Sequence, residues 1–326
     1  MLNGERTMQF EFNSVELSRI NFQDRFYQLP QFKDDKELYS SLNEIGLITP
    51  VWLQPQSSGY RIINGFRRLN IVQKMNWSCI DSYISPSHLS DIDLFKYVLQ
   101  EKKSVGIDPI QISTAIYKLE ALFNYKPRQI THLFFPLMGL QNSKLYDIYK
   151  PLHKLSQEWQ AALSLGEFSL ETGCKAAELN RKDQQAVYNL FKTLRAGKNR
   201  QREVLSLLQD TARIKDVMIY ELVQSEHLQN ILEKHRSNPS QLTHALKDFL
   251  LRLRYPQYSI TEKSFQEILK KAKCPPDLRI QAPSYFEGET FTVTFTFNSE
   301  QSYHEKLMKL KSLIDQGLIG ELNELL

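Results

Sequence analysis

Two arginines directly after a glycine, in Asn64-Gly65-Phe66-Arg67-Arg68, are the residues of this sequence best suited to chemistry with an anion. Guanidinium groups stay charged and present planar donors that match phosphate oxygens. The glycine stands where an apolar run, Tyr60-Arg61-Ile62-Ile63, gives way to helical spacing at Leu69, Val72 and Met75. Backbone N–H groups at such a helix start lack internal partners and carry partial positive charge, so they also suit phosphate. The plainer reading of the same residues is a solvated first helical turn.

A second constellation suits nucleic acid. Pro127-Arg128-Gln129-Ile130-Thr131-His132-Leu133-Phe134 begins a short helix with proline at its first position, and Met138-Gly139-Leu140 supplies a turn. Asn142 or Ser143 then caps a second helix running through Leu145, Ile148 and Tyr149 toward Leu152. Helix, glycine turn, helix is the organisation of a helix-turn-helix, here spanning about 127–154. That motif sets the N-terminal residues of its second helix against base edges in the major groove. By that geometry Gln141, Asn142, Ser143, Lys144 and Asp147 are candidate base readers, and Arg128, Gln129 and Lys150 candidate phosphate contacts. A further basic run, Lys192, Arg195, Lys198, Arg200 and Arg202, is open to two readings: phosphate contacts, led by Lys198 and Arg200, or an exposed helix end.

Other reactive side chains offer less. Cys79, Cys174 and Cys274 are far apart, odd in number and without metal spacing. Cys79 falls within an expected strand and reads as a small buried hydrophobe. His132 and His153 have no metal-like partners and read as surface or phosphate-facing. Glu44 and Glu101 are candidate magnesium carboxylates by position alone, with a solvated surface as the plainer reading. No metal site and no catalytic residue is assigned.

These residues need elements to position them. Leu38, Leu42 and Ile45 recur at helical spacing and stop at Gly46; Val51-Trp52-Leu53 is a short strand, Ser57-Ser58-Gly59 a hairpin turn, and Cys79 to Ile84 a strand ended before Pro86. From Asp91 to about Leu253 the pattern is helical, with Pro109, Pro127, Pro151 and Pro239 at helix starts or breaks. After Cys274-Pro275-Pro276, Asp277–Ile280 and Phe291–Phe297 read as two strands across Glu287-Gly288-Glu289. The second should have one buried face. A helix follows with Leu307, Leu310, Leu313 and Ile314. Such a ββα unit is small for a core of its own and should pack on its own chain or on a second copy.

Composition sets the outer bounds. The 326 residues suffice for two or three domains, and 41% hydrophobic residues suffice for real cores. No run reaches the roughly 20 apolar residues needed to cross a bilayer, so no membrane association is expected. The N-terminus does not read as a signal peptide, and the sparse cysteines fit a reducing cytoplasm. A net charge of +4 confines any affinity for nucleic acid to local patches.

Leu38 to Ile80 resembles the N-terminal domain of the ParB family, related in fold to sulfiredoxin. The pieces that carry the resemblance are Gly46-Leu47-Ile48-Thr49-Pro50-Val51, Tyr60-Arg61-Ile62-Ile63, Gly65-Phe66-Arg67-Arg68 and Trp77. The resemblance implies an α+β chain in three parts: a ParB/sulfiredoxin-like α/β domain (1–90), an all-helical DNA-binding domain with the helix-turn-helix (91–255), and a ββα dimerisation domain (256–326). It implies CTP, with Mg2+, held by phosphate contacts from Gly65, Arg67 and Arg68, with Thr49 and Pro50 on the nucleotide's other side. One departure stands out. Where the family has Glu-Asn-x-x-Arg, this chain has Gln100-Glu101-Lys102-Lys103-Ser104. Phe66 also replaces the usual acidic residue, so any enzymatic activity is at most a weak CTPase.

The leading expectation is a homodimeric DNA-binding clamp, gated by CTP, acting on double-stranded DNA in plasmid or chromosome partition or in transcriptional control. It would be cytoplasmic and associated with nucleoid or plasmid. A ParA-type ATPase is the partner the family implies, although Met1 to Ser14 is short and weakly charged for that role. Two alternatives stay open: a phosphotransferase or nuclease using the Gly65–Arg68 pocket, and an adaptor that has lost its ligand.

Overall fold

The computed structural model describes residues 10–274, 278–283, 286 and 288–325, with backbone alone for 256–259. The segment before Phe10, the Pro275-Pro276 break, Asp277 and Glu287 of the expected turn lie outside the described residues. The chain divides into two compact units, up to Tyr188 and from Asn189 onward, and the division falls within one helix, α9.

The first unit starts with a five-stranded sheet. Its strands are β1 (Glu11–Glu16), β2 (Ile20–Asn21), β3 (Val51–Gln56), β4 (Gly59–Asn64) and β5 (Cys79–Ile84), in the order β1-β5-β3-β4-β2. β3 and β4 form the expected hairpin, with Gln56 opposite Gly59. β3 runs parallel to β5, so the chain must cross over between β4 and β5 through a helix, as parallel neighbours require. That helix is α2 (Phe66–Lys74); α1 (Lys36–Glu44) precedes β3. Val51 and Leu53 alternate into a core with Ile62, Leu69, Val72 and Ile80, while Trp52 and Gln54 face the other side.

The first two strands have no counterpart in the sequence reading. Glu11, Phe12, Asn13 and Ser14 are all exposed along β1, so the strand lacks the apolar alternation that would announce it. It forms because its backbone pairs residue by residue with β5, Glu11 opposite Ile84 through Glu16 opposite Cys79. That pairing leaves Cys79 on the solvent face, which corrects its reading as buried.

The helices of this unit are α3 (Asp91–Val105), α4 (Pro109–Ala121), α5 (Pro127–Gln129), α6 (Leu145–Tyr149), α7 (Gln157–Ser164), α8 (Leu170–Ala177) and the start of α9 (Arg181–Leu194). Asp108 caps α4 by accepting from Ile110 and Gln111, and Gln111 closes a capping box on the Asp108 N–H. A second core joins α3 and α4 to Tyr27, Leu29, Ile63, Phe134 and Phe135.

The second unit holds the end of α9 and α10 (Lys198–Lys215), α11 (Ile219–Gln224), α12 (Glu226–Lys234), α13 (Pro239–Arg254) and α14 (Pro256–Lys271). An antiparallel pair then follows, β6 (Leu278–Gln281) with β7 (Thr292–Phe295), and finally α15 (Glu300–Asp315) and α16 (Leu318–Asn323). The chain is thus a mixed α/β protein in the order the sequence implies: sheet domain, helical middle, ββα end. The buried face expected over Phe291–Phe297 is only partial: Phe291 and Phe295 pack against the small core, while Val293 and Phe297 are exposed. The small core here rests on β6, Phe265, Leu313, Leu318 and Leu322. No helix among the described residues is long and apolar enough to cross a membrane.

Candidate functional site

The strand-to-helix turn at Gly65 is built as its sequence requires. Gly65 caps α2 at φ +97°, a left-handed conformation costly for any residue with a Cβ. A Cβ there would stand 2.6 Å from Cγ1 of the buried Val51. Asn64 is buried, and its side-chain oxygen accepts the Gly65 N–H at 2.8 Å. The glycine thus lets α2 start directly against β3 and brings Arg67 and Arg68 to the rim of a cavity.

That cavity has a volume of about 310 Å³, inside the range of small-molecule sites. Its wall carries Lys33, Arg67, Arg68 and Lys102 as cations, against Asp35 and Glu101 as carboxylates. Arg68 is anchored through its Nη1, which donates to the Thr49 carbonyl and, at 3.1 Å, to the Pro50 carbonyl. Burial lowers the Arg68 pKa from its ordinary value, and the Glu101 charge acts the other way. Arg67 Nε donates to Asp35 Oδ1 at 2.7 Å, and its Nη2 donates to the Asp34 carbonyl at 2.8 Å.

Gly65, Arg67 and Arg68 therefore meet in one pocket. Thr49 and Pro50 are not among its lining residues; they serve it from behind, through the carbonyls that hold Arg68. Sequence reading missed the opposite wall, made of Tyr27, Gln28, Leu29, Gln31, Lys33 and Asp35. This strap has no motif, and its position follows from tertiary contacts. Lys118 on α4 is buried and donates to the Arg25 and Phe26 carbonyls, both at 2.6 Å. Gln111 on the same helix donates to the Pro30 carbonyl at 3.1 Å. Arg61 donates to Asp24 at 2.6 Å and lies over the Phe26 ring, while the Tyr27 hydroxyl donates to Asp91 at 2.8 Å. Burial, then the Asp91 bond and charge, raise the Tyr27 pKa, so the hydroxyl keeps its proton.

Glu101 is not a solvated glutamate. It lines the pocket from α3, with a buried Oε2 that lies 3.1 Å from the Lys102 ammonium. Glu44 is exposed, as a solvated residue would be. The cationic donor set suits a phosphate-bearing ligand. Both lining carboxylates already face a cation, Asp35 at 2.7 Å from Arg67 and Glu101 at 3.1 Å from Lys102. Among the described residues no cluster of three or more His, Cys, Asp or Glu could hold a metal.

Residues 127–154 form two short helical segments around a glycine turn, less regular than the sequence suggests. The first begins as α5, passes into one π-turn over Ile130–Phe134 and ends in a 3-10 turn at Pro136–Met138. Pro136 has no N–H to continue an i→i−4 ladder, and the Phe135 N–H bonds back to Ile130 instead. Gly139 at φ +75° ends it, and the Leu140 N–H returns to the Phe135 carbonyl. The second segment is shorter than expected: α6 stops at Tyr149 and a 3-10 turn covers Lys150–Lys154, because Pro151 again lacks a donor. The expected cap from Asn142 or Ser143 is not made: the cap position of α6 is Lys144, without a side-chain bond, and Asn142 accepts the Lys144 N–H at 3.0 Å in the turn before it.

Gln141, Asn142, Ser143, Lys144 and Asp147 are all exposed around that start, and Arg128 is exposed on α5. Gln129 has a structural task, accepting the Lys126 N–H at 2.9 Å. Lys150 Nζ lies 2.9 Å from Glu120 and 3.1 Å from the Tyr146 hydroxyl. His153 is half-buried, stacks on the exposed Tyr117 and approaches the Lys150 carbonyl with Nδ1 at 2.6 Å. In the second unit, Lys198 and Arg200 stand exposed in the first turn of α10, where no acidic residue offsets them.

No protein-family model matches this chain, and none of the curated proteins matches it. Among solved structures it is similar to the C-terminally truncated chromosome-partitioning protein ParB from Caulobacter crescentus complexed to the centromeric parS site. That match has 14% identity and a TM-score of 0.34, and covers 60% of this chain and 98% of the other. It is similar to the same ParB complexed with CTP-gamma-S, at 16% identity and a TM-score of 0.27, over 56% of this chain and 99% of the other. A Pnob8-like ParB-N domain matches at 12% identity and a TM-score of 0.35, over 73% of this chain and all of the other. Within the chain itself, the order of hairpin, glycine turn and helix over Val51–Lys74 is the one that the sequence resemblance implies.

Proposed function

We propose that this chain is a ParB-like DNA-binding protein whose N-terminal pocket takes a nucleoside triphosphate, with CTP the first candidate. The observation that carries the reading is the cationic pocket at the Gly65 turn, where Arg67, Arg68, Lys33 and Lys102 outnumber two carboxylates. Phosphates entering it would meet guanidinium donors and the N-terminal N–H groups of α2. DNA would bind through a helix-turn-helix at 127–154, with Gln141, Asn142, Ser143 and Lys144 facing bases and Arg128 facing phosphate. Gln129 and Lys150 are weaker contacts in this scheme, since each already has a protein partner. Lys198 and Arg200 add phosphate contacts from the second unit. Homodimerisation through the C-terminal ββα unit fits its small core, which leaves Phe297, Met308 and Ile314 exposed. A role in partition or transcriptional control is the one that the resemblance at Gly46–Trp77 supports.

The test is calorimetric titration of the full-length protein with CTP, and with ATP, GTP and UTP in parallel, with and without duplex DNA. Selective CTP binding that is lost in Arg67→Ala supports the reading. Absence of binding to every nucleotide removes the pocket from it and leaves a DNA-binding scaffold.

A further inference from the structure

Asp35 occupies the first position of α1 from which a side chain normally caps the helix, yet it makes no capping bond. Its carboxylate instead turns to Arg67, at 2.7 Å. The neighbouring Asp34 has a different task, its side chain accepting the Lys36 N–H at 3.1 Å and its carbonyl receiving Arg67 Nη2. Arg67 is thus held by an anion that the protein itself supplies. Both residues line the cavity, so a phosphate reaching Arg67 and the Asp35 carboxylate seek the same guanidinium.

We infer that Asp35 is an internal competitor that sets the affinity of the pocket, released by a ligand phosphate and received by the N-terminus of α1. This rests on the reading of the cavity as a phosphate site. The backbone of Asp35 stands at φ −90°, ψ −2°, so once released its carboxylate could accept the Glu37 and Leu38 N–H groups only as ψ turns to the extended value that a cap residue takes. An acidic residue there is also favoured by the helix dipole. Asp35 therefore has two alternative partners, and phosphate at Arg67 decides between them. The strap that carries Asp35 is held at its other end by Lys118 and Gln111 on α4.

The experiment uses the full chain with CTP and inorganic tripolyphosphate as probes. Asp35→Asn keeps a capping side chain but removes the competing charge, and should bind both probes roughly three- to ten-fold more tightly. Asp34→Asn removes the same charge from an exposed residue that touches Arg67 only through its backbone, and should change affinity less than about two-fold. The gain from Asp35→Asn should vanish in an Arg67→Gln background. Amide exchange at Glu37 and Leu38 should slow on adding tripolyphosphate to the wild type, but not to Asp35→Ala. A gain no larger than that of Asp34→Asn, or one that survives Arg67→Gln, overturns the competitor while leaving the pocket intact. Failure of both wild type and Asp35→Asn to bind either probe overturns the phosphate site, and the competitor with it.

Discussion

Gly65→Ala isolates what the phosphate turn demands of its backbone. Two costs combine there. Holding alanine in the left-handed region at φ +97° costs about 1–2 kcal/mol. The new Cβ, 2.6 Å from Val51 Cγ1 and 2.9 Å from Val51 Cβ, overpacks a fully buried side chain. Relief of that clash costs about a further 1–3 kcal/mol. The sum is about 3 kcal/mol, a large part of a typical domain's stability. Gly46→Ala is the internal control, because Gly46 has a similar φ of +86° and nothing within 4 Å of where the added methyl would stand, so only the first cost applies. All three tryptophans, Trp52, Trp77 and Trp159, lie before Asn189, so tryptophan fluorescence in a urea titration follows the first unit alone. The expected order is wild type, then Gly46→Ala, then Gly65→Ala, with about 2 kcal/mol between the two variants. Val51→Ala should recover part of that gap in a double-mutant cycle. Equal loss in the two glycine variants would show that the turn is not packed against β3 as described, and the placement of Arg67 and Arg68 would fall with it.

Three further outcomes follow from the contacts around the pocket. Burial pushes Lys118 down to about 8, below its unfolded value, so the unfolded chain binds the extra proton between the two pKa values and stability should rise with pH across about 8 to 10.5. Relative to Lys118→Met, the wild type should gain up to about 3 kcal/mol over that window in pH-dependent urea unfolding; a constant difference would place the ammonium in solvent. Asp108→Ala removes the cap of α4 together with the 2.9 Å bond from Ser164, and should cost about 1–2 kcal/mol by the same fluorescence assay, with no loss meaning that α4 frays freely. Lys144→Ala should weaken DNA binding and lower the slope of log affinity against log salt by about 1 if it meets phosphate, or relax sequence preference if it meets a base, and unchanged binding in both measurements would remove α6 from the interface.

The first half of the pocket was legible in the sequence because local rules write it. An apolar run, a glycine and a helical period can only be a strand, a left-handed turn and a helix, so Gly65, Arg67 and Arg68 fall where backbone geometry puts them. The helix start at Pro109 and the hairpin at Ser57-Ser58 were legible for the same reason. Two prolines, at 136 and 151, were visible but their effect was underestimated; each removes one N–H and turns regular helix into π- or 3-10 geometry.

The elements from α1 onward and the charged turn follow from local pattern, since each depends on neighbours within a few residues. The tertiary structure decided the rest. β1 exists only because β5 offers its edge, and Cys79 is exposed for the same reason. The strap from Arg25 to Asp35 becomes a pocket wall only because Lys118, more than ninety positions away, holds its carbonyls. Glu101 and Lys102 enter the pocket because α3 packs beside the sheet. These contacts join residues remote in sequence, through hydrogen bonds and packing that no local pattern encodes, and they turn two arginines on a helix into a site.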